Sequence, residues 1–368
     1  MNFPPAIGIV DPCAPNGYAL SENDAPLGGT EATVIKIAQA LQGRFRFFLF
    51  QANAHKCRSR CKHAPFPLEH AFQDHGCQAF FVINSWKVAC RLRRAHPQKP
   101  IVLWLHVHPG RHNRQMGKRL ASANIDVLCV SKSHCESLKR FLSEGPMPKI
   151  SHIYNPIADD LTPDTTPRDM NRLFFCSAPH KGLKQVLAQF DALRERLPDL
   201  TLEVADPGYL RWDVGPLPDG VWLRGRLPHD RLIARLRRSL CLFYPQDKFA
   251  ETFGLVIAEA NAVGTPVLVQ RGLGANDEVT CTAEQLIEAN NLDQLEARIR
   301  HWQRNFPRLQ TDGRFRLIQI AGQWHEALSN MVSVGPGQAS ENILKPQISY
   351  GGDDELFFKR PPHFSRRE

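Results

Sequence analysis

The chain has 368 residues, 42% apolar and 23% charged, which suits two soluble globular domains of roughly 150–200 residues and excludes collagen-like, coiled-coil and disordered chains. No apolar run reaches the ~20 residues that cross a bilayer, and the opening residues lack the basic and apolar regions of a signal peptide. The formal net charge of +9 is lopsided: residues 1–158 hold 20 Lys and Arg against 9 Asp and Glu, while residues 159–368 hold 26 against 28.

In chain order, AIGIV (6–10) reads as a buried strand and GGTEATVIKIAQAL (28–41) as a helix with Val34, Ile37, Ala38 and Leu41 on one face. RFRFFLF (44–50), AFFVI (79–83), IVLWLH (101–106) and DVLCVS (126–131) read as further strands, with helical stretches such as 131–142 between them. Strands alternating with helices predict βαβ units on a parallel sheet. The Pro-, Asp- and Thr-rich stretch 151–171, with its Asn155-Pro156 turn signal, reads as the approach to a second domain, with the linker at 159–171. The alternation restarts with strands at 172–178, 201–205, 221–225, 241–245 and 266–270, and helices from Lys181, over 229–239 and over 254–263. Helices at 292–306 and 315–332 close the chain. The predicted organisation is a first Rossmann-like domain over 1–158, a second over 172–310, a closing helix within 311–334 and a polar tail over 335–368. Two doubly wound parallel sheets would present their carboxyl ends to a shared cleft.

The most specific segment runs from Phe249 to Val267. Glu251 and Glu259 lie eight residues apart, on either side of a helix start at Phe253, Gly254 and Leu255. Free N–H groups at a helix start, with a glycine allowing close approach, suit a phosphate. A carboxylate beside them suits sugar or ribose hydroxyls. This segment resembles the Glu-x7-Glu signature of retaining, nucleotide-sugar-dependent glycosyltransferases of family 4, which have the two-domain GT-B fold. The resemblance covers about residues 6–330. It implies that Glu251 contacts the donor sugar, that Glu259 binds the ribose, and that the backbone of Phe253, Gly254 and Leu255 meets the sugar or diphosphate.

Other segments agree with it. Gly28 and Gly29 stand between the first strand and helix, where the family carries a paired-glycine loop. Lys181, in His180-Lys181-Gly182-Leu183, matches the cation that neutralises the donor diphosphate. The Arg that many members place just before it is missing, and Arg224 or Arg226 could supply the second charge. His106 ends a strand in Trp104-Leu105-His106, where the family places a His near the reacting sugar. His108 stands one beyond the usual Asp. Ser131 and Tyr154-Asn155-Pro156 read as scaffold.

The implied enzyme moves a sugar from a UDP- or GDP-linked donor, with His106, Lys181 and Glu251 as catalytic residues. Gly28, Gly29, Lys181, Glu251, Phe253, Gly254, Leu255 and Glu259 hold the donor. No metal is expected, because no Asp-x-Asp stands in a suitable place. The acceptor is a saccharide or lipid-linked saccharide, in bacterial-type surface polysaccharide or glycolipid synthesis at the cytoplasmic face. The charged first half would touch anionic membrane through clusters at Arg91/Arg93/Arg94, Lys118/Arg119 and Lys139/Arg140. Nucleic acid is not an expected partner, because basic and aromatic residues do not interleave in any recognised motif. The competing readings are a glycoside phosphorylase or sugar-nucleotide epimerase on the same fold, and a non-catalytic basic polyanion binder. The Cys/His-rich stretch from His55 to Cys77 reads as a basic loop, since its spacing fits no familiar zinc site. Ten scattered cysteines without a Cys-x-x-Cys pair fit a reduced, cytoplasmic protein.

Overall fold

A computed structural model describes residues 3–21, 27–57, 64–206 and 216–333. The first domain builds a parallel seven-stranded sheet from β1 (Ala6–Asp11), β2 (Arg46–Gln51), β3 (Phe66–Pro67), β4 (Ala79–Ile83), β5 (Ile101–Leu105), β6 (Asp126–Cys129) and β7 (Ile150–His152). Its order is β3-β2-β1-β4-β5-β6-β7. Helices α1 (Gly29–Ala40), α2 (Trp86–Ala95), α3 (Met116–Ser122) and α4 (Lys132–Phe141) connect the strands. β1, β4, β5 and β6 are buried along their whole length, as continuous apolar runs covered on both faces require.

The second domain repeats the design. A parallel six-stranded sheet takes β8 (Asp169–Cys176), β9 (Thr201–Ala205), β10 (Val221–Gly225), β11 (Ser239–Tyr244), β12 (Val267–Gln270) and β13 (Leu286–Ile287), in the order β10-β9-β8-β11-β12-β13. Its helices are α5 (Leu183–Arg194), α6 (His229–Arg237), α7 (Leu255–Ala262), α8 (Asn276–Val279) and α9 (Leu292–Arg304). Between the two sheets the chain runs without a strand over residues 153–168. Ile150–His152 pairs with β6, and the second sheet begins at Asp169.

A last helix, α10 (Leu317–Ser333), returns to the first domain. Its Trp324 ring lies 4.4 Å from Trp104 and 5.0 Å from Phe81, and His325 meets Phe45 at 5.8 Å. The chain therefore crosses between domains twice, and the crossings pair: Ile157 N–H donates to Phe315 O at 2.8 Å, and Leu317 N–H to Ile157 O at 2.9 Å. Among the described residues, no helix is long and apolar enough to cross a membrane. The nine described cysteines are free thiols. The tail read at 335–368 and residues 58–63 of the Cys/His-rich stretch lie outside the described residues. Among those described, no group of three or more His, Cys, Asp or Glu is placed to hold a metal ion.

Candidate active site in the interdomain cleft

Each sheet reverses its winding between two central strands, β1 and β4 in the first and β8 and β11 in the second. The crevice at the carboxyl ends of such a pair is the general ligand position in open α/β sheets. The candidate residues follow from it. Gly28 and Gly29 come after β1, Lys181 after β8, and Glu251 in the loop after β11.

Lys181 and Glu251 meet across that reversal. The Lys181 ammonium lies 3.0 Å from both Glu251 oxygens, and Tyr244 Oη donates to Oε1 at 3.1 Å. Glu251 is buried, and Lys181 also sits 4.7 Å from the centre of the Phe249 ring. Two glycines make this geometry possible. Gly182 has φ +96° beneath Gln246, and Gly274 has φ +59° against the Glu251 backbone, where a Cβ would collide. Gly254 caps α7 with φ +87°, so the chain turns sharply into the helix. Phe253 is buried against Tyr154 and Phe315, at 6.0 and 5.1 Å.

Glu259, a turn into α7, is also buried. His229 Nε2 lies 2.9 Å from its Oε1, and Lys36 Nζ of α1 reaches the same oxygen at 3.7 Å from the other domain. Burial pushes the carboxyl up, but the His229 hydrogen bond and charge, with Lys36, outweigh it and hold it below the ordinary value.

The first domain faces this surface closely. A Cβ on Gly29 would stand 3.1 Å from Leu255, which brings the starts of α1 and α7 together. The space beside Gly28 is taken by the carboxylate of Glu31. The Thr252 hydroxyl donates to His106 O at 2.8 Å, and Ser131 Oγ donates to Thr252 O at 2.5 Å. Glu278 of α8 accepts from the N–H groups of Lys132 and Ser133 at 2.9 and 2.8 Å, from Ser133 Oγ at 2.6 Å and from Tyr154 Oη at 2.7 Å. It thereby caps a helix of the opposite domain. His106 is buried with Nε2 lacking a partner, and burial with neighbouring His134 lowers its pKa to about 3. Its ring is therefore neutral near pH 7. His108 stacks edge-on to His134 at 5.0 Å and is close enough to Glu251 to feel its charge.

Residues 173–311 match the family model of group 1 glycosyl transferases. That span contains Lys181, Glu251 and Glu259. Over 99 residues the chain is 36% identical to the uncharacterized glycosyltransferase YqgM of Bacillus subtilis (strain 168), a match that spans 26% of this chain and 27% of that relative. Solved structures extend the likeness to both domains. A sucrose-phosphate synthase from Thermosynechococcus elongatus superposes with TM-score 0.65 at 16% identity, covering 89% of this chain and 99% of the other. A glycosyltransferase from Rickettsia africae ESF-5 gives 0.64 at 14%, covering 91% and 100%. The apo lipopolysaccharide outer core galactosyltransferase WaaB gives 0.59 at 13%, covering 88% and 99%. At these identities the likeness is one of fold. The chain has the GT-B fold, as the sequence predicts.

The structure thus brings the two carboxylates, Lys181, the helix start and the paired glycines to one cleft, with His106 on its first-domain wall. Arg224 does not serve as a second cation there. It donates to Glu203 at 2.7 Å, beside Arg235 at 2.9 Å, and that carboxylate is held low by the arginines against the opposing effect of burial. Sequence reasoning missed Lys36, His229 and the group of buried Asp11 and Tyr18 with half-buried Glu31, and it gave Glu278 no role. Asp11 accepts from Cys13 N–H and Ala14 N–H and from Tyr18 Oη, each at 3.0 Å. A polar residue ending an apolar strand was the available signal for Asp11. A cavity of about 450 Å³ also lies at the ends of β11, β12 and β13, beside the cleft. Among its lining residues, Asn290 donates to Asp247 at 2.7 Å and Gln270 to Glu288 at 2.9 Å.

Proposed function

We propose that this protein is a retaining glycosyltransferase of family 4 that takes a hexose from a UDP- or GDP-linked donor. The observation that carries the reading is the Lys181–Glu251 pair beside the α7 start, facing Gly28 and Gly29 across the cleft. A fold neighbour with TM-score 0.52, the T4 phage BGT, was solved in complex with UDP-glucose, which supports the donor class.

In this reading Glu251 accepts hydrogen bonds from sugar hydroxyls, Glu259 from the ribose, and the α7 start meets the diphosphate. Lys181 stabilises the negative charge that grows on the diphosphate as the glycosidic bond breaks. The reading assigns no carboxylate among the described residues as a covalent nucleophile, so the acceptor oxygen bonds the anomeric carbon on the face the diphosphate leaves, and its proton goes to a diphosphate oxygen. Lys181 and the helix start substitute for a metal ion. The acceptor is a saccharide or lipid-linked saccharide on the basic first domain, in surface polysaccharide or glycolipid synthesis on the cytoplasmic side.

A thermal-shift series with UDP, GDP and ADP tests the donor class, since a ligand of the native state raises Tm. One base should give a clear rise. Product anomer by NMR and turnover in EDTA then test retention and metal independence. If no nucleotide raises Tm, the reading fails. If donor is consumed only with inorganic phosphate, or epimerises without an acceptor, the phosphorylase or epimerase alternative replaces it.

A further inference from the structure

We infer that His229 is a positioning residue for nucleotide binding, with Lys36 as its counterpart from the other domain. This rests on the reading of Glu259 as the ribose contact. A buried carboxylate needs fixed partners, and Glu259 has both on one oxygen: His229 Nε2 at 2.9 Å and Lys36 Nζ at 3.7 Å. Among the described residues, Oε2 makes no ion pair or hydrogen bond like those at Oε1. The arrangement pins the carboxylate rotamer from one side and presents the other oxygen to a diol.

The two partners differ in kind. Lys36 is a point charge on a flexible stem at a longer distance, and it belongs to α1, so its contact depends on the cleft being closed. His229 opens α6 within the same domain as Glu259, with a rigid ring at hydrogen-bond distance and a side chain half exposed at the cleft. His229 therefore holds Glu259 whether the domains are together or apart. The charged groups facing His229 are Glu259 on α7, Lys36 on α1 and Asp160 in the interdomain stretch. The Glu259 hydrogen bond and charge raise its pKa above the ordinary value, against burial and Lys36, and Asp160 adds to the rise. The raised His229 pKa has one sign of consequence. The protonated ring is present below the ordinary His value and is lost as pH rises through the raised one. A diphosphate adds negative charge to the neighbourhood, so binding favours the protonated ring, and affinity falls as pH rises.

The test uses UDP-glucose and GDP-mannose, whose diphosphates carry no proton that titrates near neutrality. Calorimetry from about pH 6 to pH 8.5 should show affinity of the wild type for one of them falling with pH. In His229→Gln, affinity at pH 6 should drop about tenfold, the scale of one charge-assisted hydrogen bond, and the pH dependence should flatten with Tm nearly unchanged. In Glu259→Gln, the His229 ring, followed by NMR, should titrate at a lower pH than in the wild type. A His229→Gln protein with wild-type affinity and pH profile overturns the inference while leaving the donor site standing. A Glu259→Gln protein that binds as the wild type removes Glu259 from the site, and the inference goes with it. Binding of neither sugar nucleotide by the wild type defeats the proposed function itself.

Discussion

At the level of single side chains, the Lys181–Glu251 pair does two jobs that can be separated. Glu251 is buried, so removing Lys181 leaves its carboxylate, among the described residues, with the Tyr244 hydroxyl as its remaining side-chain hydrogen-bond partner. Lys181→Ala should cost about 1–3 kcal/mol of stability and about 10²–10³ in turnover, because the lysine acts on charge that develops at the transition state. The double variant Lys181→Ala/Glu251→Gln should recover the melting temperature without recovering turnover. If it recovers both, the lysine only neutralises a buried acid. His106 gives a second check. Its neutral imidazole, with pKa lowered to about 3, has no proton to gain or lose between pH 5 and 9. The pH–rate profiles of wild type and His106→Gln should therefore share one shape above about pH 5, differing only in height. An inflection near neutrality that vanishes in the variant would contradict this.

Among elements, the contact of α8 with α4 is the clearest case of one domain completing another's secondary structure. Burial pushes the Glu278 carboxyl up, but Ser133, Tyr154 and the Lys132 N–H hold it below the ordinary value. A depressed carboxyl stabilises the folded state above its unfolded value of about 4.3, and that contribution fades as pH falls through the folded value. Glu278→Gln should lower Tm at pH 7 by a few degrees, roughly 2–4 °C per kcal/mol, and the gap from wild type should narrow below about pH 4. A gap constant with pH would mean the loss is one of packing. Much of this architecture was legible beforehand. β1, β4, β5, β6 and β11 announced themselves as apolar runs because both sheet faces are covered. β3, β7 and β13 did not, since strands of two or three residues leave no periodic trace. The site splits along the same line. Gly28, Gly29, Lys181, Glu251 and Glu259 lie in the local segments that carry the family resemblance. The interdomain partners Lys36 and Glu278 depend on how two domains meet, and His229 on how α6 packs against α7, which no window of sequence contains.

On the scale of the whole molecule, the charge asymmetry translates into a surface with one amendment. Arg91, Arg94, Lys118, Arg119, Lys139 and Arg140 are exposed or nearly so. Arg93 is not available, because its guanidinium holds the carbonyls of Ala123, Pro97, Lys99 and Asn124 at 2.9, 3.0, 2.7 and 3.0 Å. If the acceptor is membrane-borne, the protein should sediment with anionic vesicles and not with zwitterionic ones. Binding should weaken as salt shortens the Debye length to about 8 Å at physiological strength. Failure to bind anionic vesicles at low salt would favour a soluble, phosphate-bearing acceptor. The doubled crossing between domains reaches further than the cleft. Trp104 and Phe81 of the first sheet are covered by Trp324 of α10, so the first domain is finished by a segment synthesised only after the second. During translation at about 5–20 residues per second, the first sheet waits through the whole second domain with one apolar face unclosed. The same dependence ties the fate of both halves together, so proteolysis or truncation ahead of Leu317 would strike the opening domain as hard as the closing one.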